Sequence, residues 1–403
     1  MRLTPTTHLN PRSRILNPLR KCYHEIAMPE RVFQISKRRN KQFHPEQKPG
    51  PVRALLQEPL ENGKVRCHLC AHRCIVHPGR VGVCSVRHNV DGVLYALNYR
   101  KTVALHIDPI EKKPLFHFMP GEPILSLAAP GCNFRCRFCQ NSDISQMPLD
   151  YNRIEGEVLN PADIVDTAVE RGCRAVAFTY TEPTIFMEYA MEVGTLAQQR
   201  GLANVFVTNG YLTPESVELV TPWLDAANID LKGFDDRFYL QICGARHAPV
   251  LETIKALHAA GVWVEVTTLV IPGHNDRDED LRPIAAFIAS VSPDIPWHIS
   301  AFHPDYEMRE TPRTPPETLL RAWDIGRAEG LRYVYVGNMP GLDYENTTCP
   351  NCGAVVIERH GFALTGWNMD NGACRSCGAA VAGIGWPVES PVHDRRVGKW
   401  PLW

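Results

Sequence analysis

Nowhere does the chain run through 18 uninterrupted apolar residues, which excludes a membrane-crossing helix of ordinary length. Its first thirty residues have no apolar core of the kind a secretory leader carries, so export is not expected. Charge of one sign is also scarce: 43 basic against 44 acidic side chains leave a net charge of -1. Such a balance gives no global attraction to nucleic acid or to an anionic membrane, and neither partner is expected. A glycine-rich dinucleotide fingerprint and a phosphate loop are both missing. No side chain can be singled out as a general base. The expectation is a globular protein of a reducing, cytoplasmic compartment.

What the chain has in quantity is cysteine, fourteen in all. Eleven of them fall into three groups: Cys67/Cys70/Cys74/Cys84, Cys132/Cys136/Cys139 and Cys349/Cys352/Cys374/Cys377. Without export, disulfides are not expected. Gaps of two and three residues are metal-ligand spacing, so three metal sites are predicted. Cys22, Cys173 and Cys243 read as ordinary thiols.

Composition divides the chain into four. Residues 1–50, with eleven Lys/Arg against three Glu, read as a poorly ordered basic tail. Residues 51–120 form a Cys-rich metal module. Residues 121–340 alternate apolar runs with helical segments, and 343–403 return to Cys/Gly-rich composition. Strands are predicted at Ile124–Ala129, Ala175–Thr179, Ala203–Thr208, Ala226–Asp230, Val262–Val270, Trp297–Ser300 and Tyr333–Val336. The segments between them often open on Pro and close on Gly, the asymmetry of helix ends. Strand–helix alternation at this spacing makes βα units and a parallel sheet. The fold class is therefore α/β, a partial (β/α) barrel of TIM type, with its chemistry at the C-terminal strand ends.

The triad follows the first of those strands, in Pro130-Gly-Cys132-Asn-Phe-Arg-Cys136-Arg-Phe138-Cys139. Cubane clusters take four thiolates, so three leave one iron open, as a catalytic metal site needs. A zinc knuckle with a remote fourth ligand is the alternative. Polar residues recur at later strand ends: Thr181-Glu182, Thr208-Asn209, Asp230-Leu-Lys232 and His303. Taken alone, each is an ordinary turn former.

In the tail, Cys349-x2-Cys352-Gly and Cys374-x2-Cys377-Gly are matching knuckles that suit a tetrahedral four-sulfur site. A zinc ribbon is the reading, with mononuclear iron the alternative. Cys67, Cys70, Cys74 and Cys84 suit either zinc or a second iron–sulfur cluster.

The C-x3-C-x2-C spacing, with Phe138 before the last Cys, resembles the radical S-adenosylmethionine superfamily. That resemblance implies a 4Fe-4S cluster on the triad and S-adenosylmethionine chelating the open iron. It places Phe138 beside the adenine, and makes Thr181, Glu182, Thr208, Asn209, Asp230, Lys232 and His303 cofactor contacts. The implied reaction is reductive cleavage to a 5′-deoxyadenosyl radical that takes hydrogen from a substrate, small molecule or peptide. From Cys67 through Val103–Phe118 to Asn141, the chain resembles the radical enzyme of the AmmeMemoRadiSam system, related to pyruvate formate-lyase activating enzymes. This implies Memo-like and AMMECR1-like partners and a flavodoxin- or ferredoxin-like electron donor. An activase that installs a glycyl radical, and a non-catalytic iron–sulfur or zinc protein, are the competing readings.

Overall fold

The computed structural model describes residues 52–339, 341, 343–388 and 390–392, so the basic tail expected over 1–50 lies outside the described residues. Eight strands form one sheet: β1 (Ala104–Pro109), β2 (Pro123–Ala128), β3 (Ala175–Phe178), β4 (Ala203–Thr208), β5 (Ala226–Asp230), β6 (Trp263–Val270), β7 (Trp297–Ala301) and β8 (Val334–Gly337). Their spatial order is their chain order. A doubly wound sheet reverses its order part-way, so this is a single progressive winding. Strands β2 to β8 are parallel, and β1 runs antiparallel along β2.

A helix fills each crossover: α1 (Pro161–Glu170), α2 (Met187–Gln199), α3 (Pro214–Val220), α4 (Ala248–Ala259), α5 (Asp278–Val291) and α6 (Pro316–Ala328). Proline occupies the first turn of α1, α3, α4 and α6, where its missing N–H costs no bond. Thr213 caps α3, its Oγ1 accepting from Ser216 N at 3.1 Å. With helices outside, the strands are covered on both faces, which is why β3 (Ala-Val-Ala-Phe) is buried throughout. All seven predicted strands are present, with ends within one residue of expectation. The difference is β1, which comes from the stretch expected in the Cys-rich module yet completes the main sheet.

After β1 the chain crosses one face of the sheet. Glu265 on β6 accepts from Phe116 N at 3.0 Å and His117 N at 2.8 Å, and Asn228 on β5 donates to Pro114 O at 2.8 Å. The C-terminal module, with its hairpin β9 (Val355–His360) and β10 (Ala363–Trp367), docks on that crossing segment. Arg359 donates to Phe116 O at 2.9 Å and lies 4.2 Å over the Phe116 ring.

Glu111, 1% exposed, sits under this junction. Its Oε1 accepts from Gly121 N at 2.8 Å, while Oε2 has no partner among the described residues. Burial pushes its carboxyl up to about 7, with the Arg359 charge pulling the other way. A folded value above the unfolded 4.5 means stability present below the unfolded value and lost as pH rises through about 7. Glu111→Gln cannot ionise, so it should gain on wild type by about 3 kcal/mol between pH 4.5 and 8. Urea melts at both ends of that range check this; a stability gap that does not widen would refute it.

Candidate active site

Strand β2 ends at Ala128 and delivers the chain to a loop without helix or strand over 129–141. Gly131 has φ +108°, and a Cβ there would lie 3.1 Å from Val86, so only glycine suits the turn. The loop is pinned by Asn98 to Pro130 O at 3.1 Å, Arg135 N to Cys243 O at 2.8 Å and Arg137 N to Ile242 O at 3.0 Å. Three cysteines are thereby fixed at the C-terminal edge of the sheet.

Donors are aimed at their sulfurs. Cys132 Sγ accepts from Phe134 N at 3.4 Å and from Asn209 Nδ2 at 3.8 Å, and Cys139 Sγ meets Ser145 Oγ at 3.2 Å. Burial and the Glu182 carboxylate push the Cys132 thiol well up. The Cys136 thiol goes the other way: a hydrogen bond from Cys243 and the Lys232 charge pull it down against burial. Cys243, expected to be an ordinary thiol, thus stands directly against the triad, at the end of a single π-helical turn, Tyr239–Cys243. Such turns recur at functional sites. Linear spacing held no sign of it.

The strand-end residues gather around the same loop. Glu182 is 2% exposed; Oε1 accepts from Thr184 N, Thr184 Oγ1 and Thr208 Oγ1 at 3.0, 2.6 and 2.7 Å. Its Oε2 accepts from Asn209 N at 2.8 Å. Three of these donors share Oε1 and one meets Oε2, so Glu182 ties the end of β3 to the end of β4 while Oε2 keeps an acceptor site without a partner among the described residues. Asn209 extends the tie to the loop, donating to Asn133 Oδ1 at 2.7 Å. Thr181 Oγ1 donates to Ala129 O at 2.7 Å. Lys232 pairs with Asp230 at 2.8 Å and lies 5.5 Å over the Phe138 ring. Despite burial, the Asp230 and Cys136 charges hold Lys232 firmly protonated. His303 meets Gln140, next to Cys139, at 3.1 Å.

Sequence reasoning missed the residues beneath Thr181. Tyr180 adopts φ +62°, a left-handed conformation that a tyrosine pays about 1–2 kcal/mol to hold. Its hydroxyl donates to Asp108 on β1, and Lys113 sits 4.3 Å over its ring. Lys113 also pairs with Asp108 at 2.7 Å. Asp108 takes a further bond from Ser126 Oγ at 2.8 Å, so this buried group sets the turn that presents Thr181 and Glu182. The sign in the sequence is the run of charged residues Asp108, Glu111, Lys112 and Lys113 among apolar ones.

Sulfur spacing separates the cysteine groups. Cys349 and Cys377 approach to 3.6 Å, Cys352 and Cys374 to 3.8 Å, and all four sulfurs lie within 4.8 Å. Tetrahedral zinc with bonds of about 2.3 Å needs sulfur–sulfur edges of about 3.8 Å, so this set fits one metal ion. Among the described residues no other group of three or more Cys, His, Asp or Glu closes so tightly. Cys67, Cys70, Cys74 and Cys84 line a common cavity.

The family description "Radical SAM superfamily" matches residues 127–285, from the end of β2 into α5. The uncharacterized protein MJ0808 of Methanocaldococcus jannaschii is 46% identical over 318 residues, 79% of this chain and 94% of that protein. The chain belongs to the radical SAM superfamily. Within that superfamily, the pyruvate formate-lyase-activating enzyme of Clostridium pasteurianum is 25% identical over 161 residues, 40% of this chain and 67% of that protein. A solved domain of the pyruvate-formate lyase-activating enzyme from Bacteroides vulgatus is 22% identical, covering 41% of this chain and 99% of its own, with a TM-score of 0.36. Radical SAM membership implies S-adenosylmethionine, a 4Fe-4S cluster and an electron donor. Among the described residues no helix is long and apolar enough to cross a membrane.

Proposed function

We propose that this chain is a radical S-adenosylmethionine enzyme of the AmmeMemoRadiSam type, working with Memo-like and AMMECR1-like proteins in the cytoplasm. The observation that carries the reading is the convergence of Glu182, Asn209 and Lys232, from three successive strand ends, on the Cys132/Cys136/Cys139 loop. When bound, the cluster supplies one electron to S-adenosylmethionine, whose 5′ carbon–sulfur bond then breaks to a radical that removes hydrogen from the substrate. The chain's own task is to hold and shield. Cys132, Cys136 and Cys139 would hold the 4Fe-4S cluster, and three thiolates on four irons would leave one position for the cofactor. Asn209 steadies Cys132, and Lys232 offsets negative charge beside Cys136. Glu182 orders Thr208 and Asn209 against the loop. Thr181, Asp230, Phe138 and His303 complete the rim. Cys349, Cys352, Cys374 and Cys377 hold a structural zinc.

A second reading, an activase that installs a glycyl radical on a partner enzyme, is favoured by the likeness to the pyruvate formate-lyase-activating enzyme. Anaerobic reconstitution, then dithionite and S-adenosylmethionine, should yield 5′-deoxyadenosine. A full 4Fe-4S signal with bound S-adenosylmethionine and no product would sink both readings. A glycyl doublet raised by this protein on a partner enzyme would select the second.

A further inference from the structure

The Cys-rich segment folds into a small cup. The strand pair Val65–Cys67 and Ile75–Val76 brings Cys67 against Cys74, with Cys67 N donating to Cys74 O at 2.9 Å. Cys70 sits at the tip of that hairpin and bridges to Leu212, just beyond β4. A turn in which Gly82 N donates to Arg87 O at 2.9 Å then lays Cys84 over the opening. The result is a cavity lined by Cys67, Cys70, Cys74, Cys84, Arg87 and Ile185.

Two observations say what it fits. First, Cys67, Cys70, Cys74 and Cys84 all line one cavity, and among the described residues it is the ribbon set, not this one, whose ligand atoms all lie within 4.8 Å of one another. Mononuclear zinc draws its thiolates to edges of about 3.8 Å, whereas a cluster fills the space between them. Second, Arg87 is 2% exposed and lines the cavity, and its Nε–H has no partner among the described residues. Its other end is spoken for, donating to Glu188 at 2.7 Å. A buried cation with a spare donor among four thiolates suits an anion whose sulfurs accept hydrogen bonds.

The cup also adjoins the catalytic loop. His72 Nε2 donates to Asn133 O at 2.8 Å, and the Asn133 side chain touches Cys70 on one side and neighbours Cys132 on the other. Cys74 is only partly buried, while Cys67, Cys70 and Cys84 are covered, so the cup reaches solvent on the Cys74 side.

We propose that Cys67, Cys70, Cys74 and Cys84 hold a second iron–sulfur cluster, placed to pass electrons inward to the Cys132/Cys136/Cys139 site. One electron from a low-potential carrier protein reduces the outer cluster; the same electron then reduces the inner one, and the outer returns to its oxidised state. The relay rests on the radical reading above, whereas the cluster itself does not.

The full-length protein, reconstituted anaerobically, should carry about eight iron and eight sulfide with one zinc per chain. About four iron with two zinc would overturn the proposal. The variant carrying Cys132→Ala, Cys136→Ala and Cys139→Ala should keep about half the iron and give a 4Fe-4S electron paramagnetic resonance signal on reduction. A soluble triple variant without iron would overturn it as well. A two-cluster wild type that makes no 5′-deoxyadenosine would refute the radical reading and leave this one standing. For the relay, Cys74→Ala should lose cleavage driven by reduced flavodoxin or ferredoxin at least tenfold more than cleavage driven by dithionite. Equal loss with both reductants would refute the relay.

Discussion

Cys136→Ala should lower 5′-deoxyadenosine formation at least about a thousandfold, the equivalent of about 4 kcal/mol in the barrier. It should also bleach the triad's share of the 4Fe-4S absorbance. Cys243 decides how complete that loss is. That thiol already hydrogen-bonds Cys136, so it is the natural substitute ligand. Yet its backbone is committed: Cys243 O accepts from Arg135 N at 2.8 Å, and Gly244 follows it in a left-handed turn at φ +69°. Moving its sulfur into the Cys136 position would pull on that turn and on the loop together. Cys243→Ala should therefore keep iron content and cleavage, while raising the effective pKa of Cys136 and slowing cluster assembly at low pH. Product from Cys136→Ala that vanishes in the Cys136→Ala/Cys243→Ala double variant would show Cys243 to be a working ligand and defeat this account. Undiminished product from both would remove the triad from the chemistry altogether.

The contrast between Cys136 and Cys243 also marks what sequence can carry. Metal spacing within a loop is local, so Cys132, Cys136 and Cys139 are legible from their gaps alone. The parallel strands are legible because burial on both faces writes them as short apolar runs between capped helices, as in Ala175–Phe178. Strand β1 is different. Ala104-Leu-His-Ile-Asp-Pro109 is an antiparallel edge strand whose His106 and Ile107 are both exposed and whose Asp108 is buried, so it shows neither a clean alternation nor a continuous apolar run. The left-handed turn at Tyr180 is equally hidden, since no glycine announces it; the hydroxyl bond to Asp108, seventy-two positions upstream, sustains it. Glu182 shows the limit of motif reading from the other side. The strand-end position was legible, but four donors from β4 and its own turn decide what the carboxylate can do there, and those are contacts of the fold.

Glu265→Ala should cost about 3–5 kcal/mol of stability, the largest loss expected of any single change away from the cysteines. Glu265 is wholly buried near the start of β6, on the strand face opposite Val264 and Val266. Four donors hold it: Phe116 N at 3.0 Å, His117 N at 2.8 Å, Trp263 Nε1 at 3.0 Å and His298 Nε2 at 2.6 Å. Burial works to raise its carboxyl, and the His298 bond and charge prevail, so the group is held below its ordinary value. Removing it orphans two backbone N–H groups of the buried crossing segment, each costing about 1–3 kcal/mol, and releases that segment. That segment carries the C-terminal module, through Arg359 to Phe116 O and His117 to Ala382 O at 2.6 Å. Glu265→Gln should recover only part of the loss, because its amide keeps one acceptor oxygen and turns an NH2 toward groups that are themselves donors. Urea unfolding would measure both variants, and hydrogen exchange should show 110–119 losing protection first. A loss under 1 kcal/mol for Glu265→Ala, or full recovery in Glu265→Gln, would mean the segment is held by packing rather than by this carboxylate. Because the triad loop lies past the strand ends and shares no hydrogen bond with Glu265, the folded variant should still assemble its full complement of iron.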